Sequence, residues 1–247
     1  MKQFGLIGRK LTHSFSQTWF SEKFSALGLH DHTYELYELA DIAAFPGLLQ
    51  SHPALLGLNV TIPYKSAILP YLSHTSDEAA AAGAVNCIAI HRLGGQVQLY
   101  GYNTDVYGFK ASLQPLLKPW HSSALVLGTG GASKAVQYVL KQLGMPYITV
   151  SRTTGFTYDM LTPEDIRKHL LVINTTPLGM YPDNGSMPVL PYQAFTSKHL
   201  AYDLVYNPAE TAFMKHAAAY GATVKNGLEM LHLQAEAAWE IFRQVPG

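Results

Sequence analysis

The chain has 247 residues, which suits one large domain or two modest ones, each able to bury its own core. Seventeen basic residues balance seventeen acidic ones, so no net charge attracts nucleic acid or an anionic membrane. No segment approaches the roughly 18 apolar residues of a membrane span, and the N-terminus lacks the apolar run of a signal peptide. Cys87 is the only cysteine, which excludes an intrachain disulfide and favours a cytoplasmic location.

Short apolar runs alternate with helical patterns along the chain, which predicts an α/β fold with mostly parallel sheets. In the first half, the pattern predicts strands at 3–7, 33–37, 56–61, 85–91 and 97–100, with helices at 17–27 and 77–82. Gly94-Gly95 predicts a hairpin turn between the last two strands. In the second half, the predicted strands are 124–127, 147–150, 171–174, 201–204 and one near 223–224, and the helices are 132–143 and 228–242.

The clearest local motif is the segment 128–133, GTGGAS, which follows a short apolar strand and opens a helix. Glycines allow a sharp strand-to-helix turn and the close approach of a pyrophosphate to bare backbone. The helix N-terminus then offers N–H groups and a partial positive charge to the phosphates. Ser133 stands where a third glycine or alanine is usual, and a plain strand-to-helix turn is the alternative. The context of strand, turn and helix predicts a dinucleotide site.

The next predicted strand ends at Ser151-Arg152-Thr153, where an NAD site usually has an acidic residue for the ribose 2′-hydroxyl. No Asp or Glu is present there. Arg152 is able to pair with a 2′-phosphate and to stack on the adenine. The sequence therefore favours NADP over NAD.

Lys65 and Asp105 are predicted at loop positions near strand ends in the first half of the chain. A carboxylate beside an ammonium positions it and favours its charged form, as an acid–base group requires. Two solvated surface residues are the alternative for this pair, and helix N-capping is the alternative for Ser14 and Ser16. No metal-ligand spacing of His and Cys appears, so no metal site is predicted.

Nine short motifs in fixed order resemble the shikimate dehydrogenase family, and they cover nearly the whole chain. They are HSFS (13–16), NVTIPYK (59–65), GAVN (83–86), NTDVYG (103–108), GTGGA (128–132), SRT (151–153), NTTPLGM (174–180), DLVYNP (203–208) and NGLEML (226–231), the last followed by Gln234-Ala235. Each motif is modestly specific, and their common order makes chance a poor explanation.

The resemblance implies reversible NADPH-dependent reduction of 3-dehydroshikimate to shikimate, a step of aromatic amino acid biosynthesis. It implies an N-terminal α/β substrate domain, residues 1–105 plus 228–247, and a Rossmann-like dinucleotide-binding domain with a parallel sheet, residues 106–227. The family's active site lies in the cleft between the domains. The expected partner is the small-molecule substrate. The protein is expected to be a monomer or a homodimer and to bind neither nucleic acid nor membrane.

The resemblance also implies residue roles. Lys65 and Asp105 would be the catalytic pair, with Lys65 supplying the proton. The substrate-binding residues would be Ser14 and Ser16 for the carboxylate, with Tyr206 nearby, and Thr61, Asn86 and Gln234 for the ring hydroxyls or carboxylate. The cofactor-binding residues would be Gly128, Gly130, Gly131, Ala132, Ser151, Arg152, Thr153, Thr175 and Gly227.

One departure from the family pattern keeps alternatives open. The family's adenine-side motif commonly has a second basic residue, and Gly155 and Phe156 occupy that region here. A relative that acts on quinate or another cyclic polyol acid, with NAD or NADP, is one alternative. A regulator that binds dinucleotide and metabolite without turnover is another, although a pure sensor needs no acid–base pair.

Overall fold

The computed structural model describes residues 1–11 and 14–246. His13, the first residue of the HSFS motif, lies outside the described residues. The chain divides into two compact units. The first contains Met1–Tyr107 and the chain from Gln234 onward, and the second contains Gly108–Leu233.

The first unit is built on a six-stranded mixed sheet. Its elements in chain order are β1 (Lys2–Gly8), α1 (Phe15–Ala26), β2 (His32–Glu38), α2 (Phe45–Ser51), β3 (Leu55–Val60), β4 (His74–Thr75), α3 (Asp77–Ala82), β5 (Cys87–Leu93), β6 (Gln96–Tyr102) and the start of α4 (Thr104–Leu113). The strand order is β2-β1-β3-β5-β6-β4. Strands β1, β2 and β3 are mutually parallel, β5 is antiparallel to both β3 and β6, and β4 is parallel to β6.

The predicted hairpin is confirmed, because Leu93 pairs with Gln96 across the two-residue turn. Gly94 and Gly95 have φ of +59° and +80°, the left-handed conformation that a tight hairpin turn needs and that glycine adopts without strain. The hairpin makes part of this sheet antiparallel, so the expectation of mostly parallel strands holds less well here than in the second unit.

Aromatic side chains from both ends of the chain form one core of the first unit. The helix α8 (Leu228–Phe242) begins in the second unit and ends in the first. Phe242 stacks on Phe4 with 5.2 Å between ring centroids, and Trp239 packs edge-on to Phe24 at 5.5 Å. This packing holds the later turns of α8 against β1 and α1, so the first unit is incomplete without them.

The second unit is a parallel six-stranded sheet with helices. Its elements are β7 (Ala124–Leu127), α5 (Gly131–Gln142), β8 (Tyr147–Ser151), β9 (Phe156–Thr157), α6 (Pro163–Lys168), β10 (Leu171–Asn174), β11 (Leu200–Asp203), α7 (Ala212–Ala219) and β12 (Thr223–Lys225). The order β9-β8-β7-β10-β11-β12 places the first strand of the unit centrally and continues outward in both directions. This is the doubly wound order of dinucleotide-binding folds, with its switch point between β7 and β10. The predicted Rossmann-like parallel sheet is confirmed.

Several elements were not predicted from the sequence. The helices α2, α4, α6 and α7 are short or interrupted by glycine, and their apolar spacing is weak. The consequence for the site is that Asp105 lies in the first turn of α4, so its predicted loop position was wrong. In the described part of the chain, no helix is long and apolar enough to cross a membrane.

Candidate functional site

Lys65 and Asp105, forty residues apart in sequence, form an ion pair in the first unit. The Lys65 Nζ donates to Asp105 Oδ2 at 2.6 Å, and the two side chains are only 15% and 6% exposed. Lys65 lies in the turns after β3, and Asp105 lies at the start of α4. The alternative of two solvated surface residues is therefore wrong. The arrangement provides an ammonium held in place by a carboxylate, a suitable proton donor for an oxygen atom.

Asn86 links three elements beside this pair. Its Nδ2 donates to Thr104 Oγ1 and to Gln234 Oε1, both at 3.0 Å, and its Oδ1 accepts from the Thr104 N–H at 2.7 Å. Asn86 is 2% exposed, so these bonds satisfy a buried amide. The contact orients the Gln234 amide, because its oxygen faces Asn86 and its nitrogen faces away. It also fixes the residue that precedes Asp105.

Ser14 and Ser16 lie at the start of α1. Ser14 is the N-cap residue, and its hydroxyl accepts from the Gln17 N–H at 3.4 Å; the capping alternative is therefore correct for Ser14. Ser16 lies two residues further along the chain, within the first turn of α1, and is half-buried. The two serines thus lie at different positions relative to the helix.

Thr61 and Tyr206 complete the predicted substrate set. Thr61 directly follows β3, and its backbone N–H donates to Ile7 O at 2.9 Å. Thr61 therefore lies at the same end of β3 as the turn that carries Lys65. Tyr206 belongs to the second unit, where it follows β11, and partial burial raises the pKa of its hydroxyl.

The glycine-rich turn lies at the carboxyl end of β7, where the neighbouring strands β8 and β10 also end. Gly128 has φ of +109°, and a Cβ there would lie 2.7 Å from Thr175 Oγ1. The Thr175 hydroxyl in turn donates to Leu127 O at 2.6 Å. Both the backbone conformation and the close packing require glycine at position 128.

The first turn of α5 is open to a ligand. Its N-cap residue, Gly130, makes no side-chain capping bond, is exposed, and would have no atom within 4 Å of an added Cβ. Gly131 and Ala132 are the first helical residues. Ser133 is buried, and its hydroxyl donates to Gly128 O at 2.6 Å. Ser133 thus stands in place of the usual glycine or alanine and stabilises the turn through its hydroxyl. The helix N-terminus stays accessible to an anion.

Ser151 is the last residue of β8 and Arg152 follows it, next to the glycine turn. The Ser151 Oγ accepts from the N–H groups of Thr153 and Thr154 at 3.3 and 2.9 Å, which folds the chain into a tight turn. Arg152 and Thr153 are exposed on this turn. In place of a second basic residue, Phe156 begins β9 and packs on the core of the unit.

Gly227, the last predicted cofactor residue, follows β12. A Cβ at this position would lie 2.1 Å from Leu204 O, and the Gly227 N–H donates to Val205 O at 3.1 Å. The close approach of two backbones therefore requires glycine here. This contact holds the start of α8 against the chain that follows β11.

A buried polar network beneath these loops was not predicted from the sequence. Asp203, at 0% exposure, accepts from Asn174 Nδ2 at 2.9 Å, from Thr211 Oγ1 at 2.6 Å and from the Val205 N–H at 3.0 Å. Asn174 Oδ1 accepts from the Thr176 N–H at 3.0 Å. Burial raises the pKa of the Asp203 carboxyl to about 6, despite these donors. The network stabilises the loops after β10 and β11.

Tyr34 and Asn59 were also missed. Tyr34 is buried on β2, and its hydroxyl donates to Asn59 Oδ1 at 2.8 Å. The Asn59 Nδ2 donates to Asn86 O at 3.3 Å. Asn59 is the first residue of the NVTIPYK motif, which assigns it no role, and no local pattern marks Tyr34. Only the parallel pairing of β1 with both β2 and β3 brings them together.

The chain is similar to known shikimate dehydrogenases along most of its length. Residues 6–88 match the family model described as the shikimate dehydrogenase substrate binding domain. A shikimate dehydrogenase (NADP(+)) from Carboxydothermus hydrogenoformans is 37% identical, over 96% of this chain and 89% of the relative. This match covers both units.

Two solved structures of related dehydrogenases have a similar fold. The shikimate 5-dehydrogenase of Thermus thermophilus, solved with NADP(H) and shikimate, has a TM-score of 0.85 and 33% identity, covering 100% of this chain and 95% of that one. A quinate dehydrogenase from Corynebacterium glutamicum, solved with NAD, has a TM-score of 0.85 and 28% identity, covering 98% and 93%. With the near full-length identity of the curated relative, these findings show that the chain belongs to the shikimate dehydrogenase family.

Proposed function

We propose that this protein is an NADP-dependent shikimate dehydrogenase, which interconverts 3-dehydroshikimate and shikimate. The observation that carries the proposal is the Lys65–Asp105 pair, with 2.6 Å between Nζ and Oδ2 in a mostly buried setting. A dehydrogenase of a secondary alcohol must move a proton at the oxygen that becomes a ketone. The pair supplies a proton donor and the group that positions it.

In the reduction, Lys65 stabilises the negative charge that builds on the carbonyl oxygen and transfers a proton to it. Asp105 accepts a hydrogen bond from Lys65 and keeps the ammonium in place. In the oxidation, the neutral amine takes the hydroxyl proton back. The cofactor, when bound, supplies or accepts the hydride at the ring carbon.

The substrate is a small polyol acid, and neutral hydrogen-bonding groups suit it. We propose that Ser14 and Ser16 hold its carboxylate, with Tyr206 nearby, and that Thr61, Asn86 and Gln234 hold the ring hydroxyls or carboxylate. The Asn86–Gln234 bond supports this assignment, because it directs the Gln234 Nε2 away from Asn86. A site of this kind rejects isomers that leave its polar groups unpaired.

The second unit has a site that fits NADP. The open helix N-terminus at Gly130, Gly131 and Ala132 would hold the pyrophosphate on backbone N–H groups. Exposed Arg152, on the turn held by Ser151 and followed by Thr153, would pair with the 2′-phosphate. Thr175 and Gly227 shape the same edge of the sheet. No acidic side chain occupies the 151–153 turn, where a carboxylate would repel that phosphate.

The first test is the absorbance of reduced nicotinamide, with purified protein, shikimate, and either NADP or NAD. Rapid reduction of NADP with shikimate is the expected result. Reduction of NAD alone would keep the Lys–Asp chemistry and overturn the cofactor assignment. No reduction of either cofactor, in folded protein that still binds dinucleotide, would overturn the proposed activity.

One observation favours a second candidate, a dehydrogenase of quinate or a related cyclic polyol acid that uses NAD or NADP. The place of a second adenine-side cation is taken by Gly155 and by Phe156, which packs on the core. A single cation discriminates less strongly between the two cofactors. Specificity constants for both acids with both cofactors separate the candidates, and a clear preference for shikimate with NADP would exclude the second.

Arg152→Ala tests the cofactor assignment. We expect the KM for NADP to rise roughly 10- to 100-fold, because a charge-assisted hydrogen bond of about 1.5–3 kcal/mol is lost. The KM for NAD should hardly change, since NAD lacks the 2′-phosphate. Arg167→Ala, which removes another exposed arginine of the same unit, is the matched control. Equal effects on both cofactors would contradict the role of Arg152.

A regulator without turnover is the remaining alternative, and robust turnover by the purified protein would exclude it. The Lys65–Asp105 geometry favours an enzyme, because a sensor needs no proton donor. The cytoplasmic location and the choice between monomer and homodimer stay predictions.

A further inference from the structure

We propose that Asn103 is a positioning residue that sets the geometry of the Lys65–Asp105 pair. The inference rests on the proposed function, because it takes that pair as the group that moves the proton. Asn103 is the first residue of the NTDVYG motif and directly precedes α4, and it is 7% exposed. Its side-chain amide links the segment that holds the Lys65 backbone to the helix that carries Asp105.

The oxygen of the Asn103 amide holds the first turn of α4. Its Oδ1 accepts from the Val106 N–H at 3.3 Å, the bond that an N-cap side chain makes to the third residue of its helix. Asp105 is the second residue of that helix, so its backbone lies inside the turn that this bond closes. The position of Asp105 therefore depends on where the Asn103 side chain is held.

The nitrogen of the same amide binds the peptide group between Ala84 and Val85. Asn103 Nδ2 donates to Ala84 O at 2.9 Å, and the N–H of that peptide group donates to Lys65 O at 2.7 Å. A trans peptide is planar, with its C=O and N–H on opposite edges, so the group is a rigid spacer between Asn103 and the Lys65 backbone. Ala84 and Val85 are both fully buried, which leaves the spacer little room to shift.

These contacts close a ring around the Lys65–Asp105 pair. The ring runs from the Lys65 backbone through the buried peptide group and Asn103 to the start of α4. It closes at the bond of 2.6 Å between Lys65 Nζ and Asp105 Oδ2. A lysine side chain is flexible along four carbons, so the pair keeps this geometry best when both backbones are fixed. Asparagine suits the link, because one end of its amide accepts and the other donates.

The test compares Asn103→Ala and Asn103→Ser with the wild-type protein in steady-state oxidation of shikimate by NADP. We expect Asn103→Ala to lower kcat roughly 10- to 100-fold, the scale of loss when a reacting group is misplaced by about 1 Å. The KM for NADP should stay within about two-fold. The bond from the Thr104 N–H to Asn86 still holds the start of α4, so the variant is expected to fold.

Asn103→Ser separates the helix cap from the link to Lys65. A serine oxygen still caps the helix, but the side chain is too short to reach Ala84 O as well. We therefore expect kcat to fall as in Asn103→Ala, with a smaller loss of thermal stability. Wild-type kcat in Asn103→Ser would show that the cap alone suffices and would overturn the inference. This variant decides the question if Asn103→Ala does not fold.

A double-mutant cycle with Asp105→Asn separates positioning of the pair from a purely structural role. Asp105→Asn removes the charge that holds the Lys65 ammonium, so the geometry that Asn103 sets loses its effect on the rate. In that background, Asn103→Ser should change kcat by less than about two-fold. An equal fold-loss in both backgrounds would overturn the inference and show that the side chain only supports the fold.

Thr162→Ala is the matched control, because Thr162 Oγ1 caps α6 in the second unit through a bond of the same length, 3.3 Å. It should lower thermal stability and leave kcat within about two-fold. A loss of kcat as large as that of Asn103→Ser would overturn the inference. Wild-type turnover in Asp105→Asn would remove the role of the pair, and the inference would fail with it. Absence of turnover in the wild-type protein would instead overturn the proposed function itself.

Discussion

Lys65→Ala is expected to lower kcat for shikimate oxidation about 10²- to 10⁴-fold, the usual contribution of a positioned acid–base group. The KM for shikimate should change little, because the loss falls on the transition state, in which the proton moves. Steady-state kinetics with NADP measures both parameters. Near-wild-type turnover in this variant would contradict the catalytic assignment.

Two further variants separate the proton from the charge. Lys65→Arg keeps a cation beside Asp105, but a guanidinium holds its proton at all working pH values, so kcat should stay low. Lys23→Ala removes an equally well-formed but more exposed ion pair of the same unit, Lys23 with Glu236 at 2.8 Å. That control should leave kcat unchanged, because no role in the site is assigned to Lys23.

Asp203→Ala is expected to lower the free energy of unfolding on the order of 4 kcal/mol, because it leaves three buried donors without an acceptor. They are the Thr211 hydroxyl, the Asn174 amide and the Val205 N–H. Asp203→Asn is the matched control, since its oxygen keeps two of these bonds and its nitrogen donates to the Thr211 hydroxyl. Urea unfolding measures both, and equal losses would contradict the network's role.

Urea unfolding of the wild-type protein and of Asp203→Asn at several pH values also tests the titration of Asp203. Its pKa in the folded chain, about 6, lies above the ordinary value of 3.8 because burial disfavours the charge. Its contribution to stability is therefore full below pH 3.8 and is lost as the pH rises through about 6. Relative to Asp203→Asn, the wild-type protein should lose roughly 2 kcal/mol between about pH 4 and pH 7.5. A pH-independent difference would contradict the raised pKa.

Predictions from the sequence were most accurate at positions where the local backbone conformation requires one residue type. Gly128 was predicted from the motif, and the structure explains it by a φ of +109° and contact with Thr175. The hairpin at Gly94-Gly95 was predicted for the same reason. The longer strands of both sheets were placed to within a few residues, since buried strands give continuous apolar runs. The two-residue strands β4 and β9 were not predicted.

Contacts between distant segments could not be predicted in the same way. The resemblance to the family marks Lys65 and Asp105 as proposed site residues, and without it their spacing would suggest solvated charges. Tyr34 carries no local mark, because its hydrogen bond to Asn59 depends on the order of β1, β2 and β3 in the sheet. Asp203 belongs to the DLVYNP motif, but the sequence assigns it no role, since its burial and its three donors are properties of the fold. Asp105 was misplaced in a loop because Gly108 and aromatic residues obscure α4.

The path of the chain through α8 has a consequence for how the protein is made. Gln234 and the aromatic residues that close the first unit are synthesised after the whole of the second unit. On the ribosome, the second unit can therefore complete its sheet while the core of the first unit still lacks the aromatic residues of α8. The first unit matures last although it begins first, reversing the usual N-to-C order of folding during translation. The same late segment delivers the partner of Asn86, so the proposed substrate site forms only when the core beneath it is sealed.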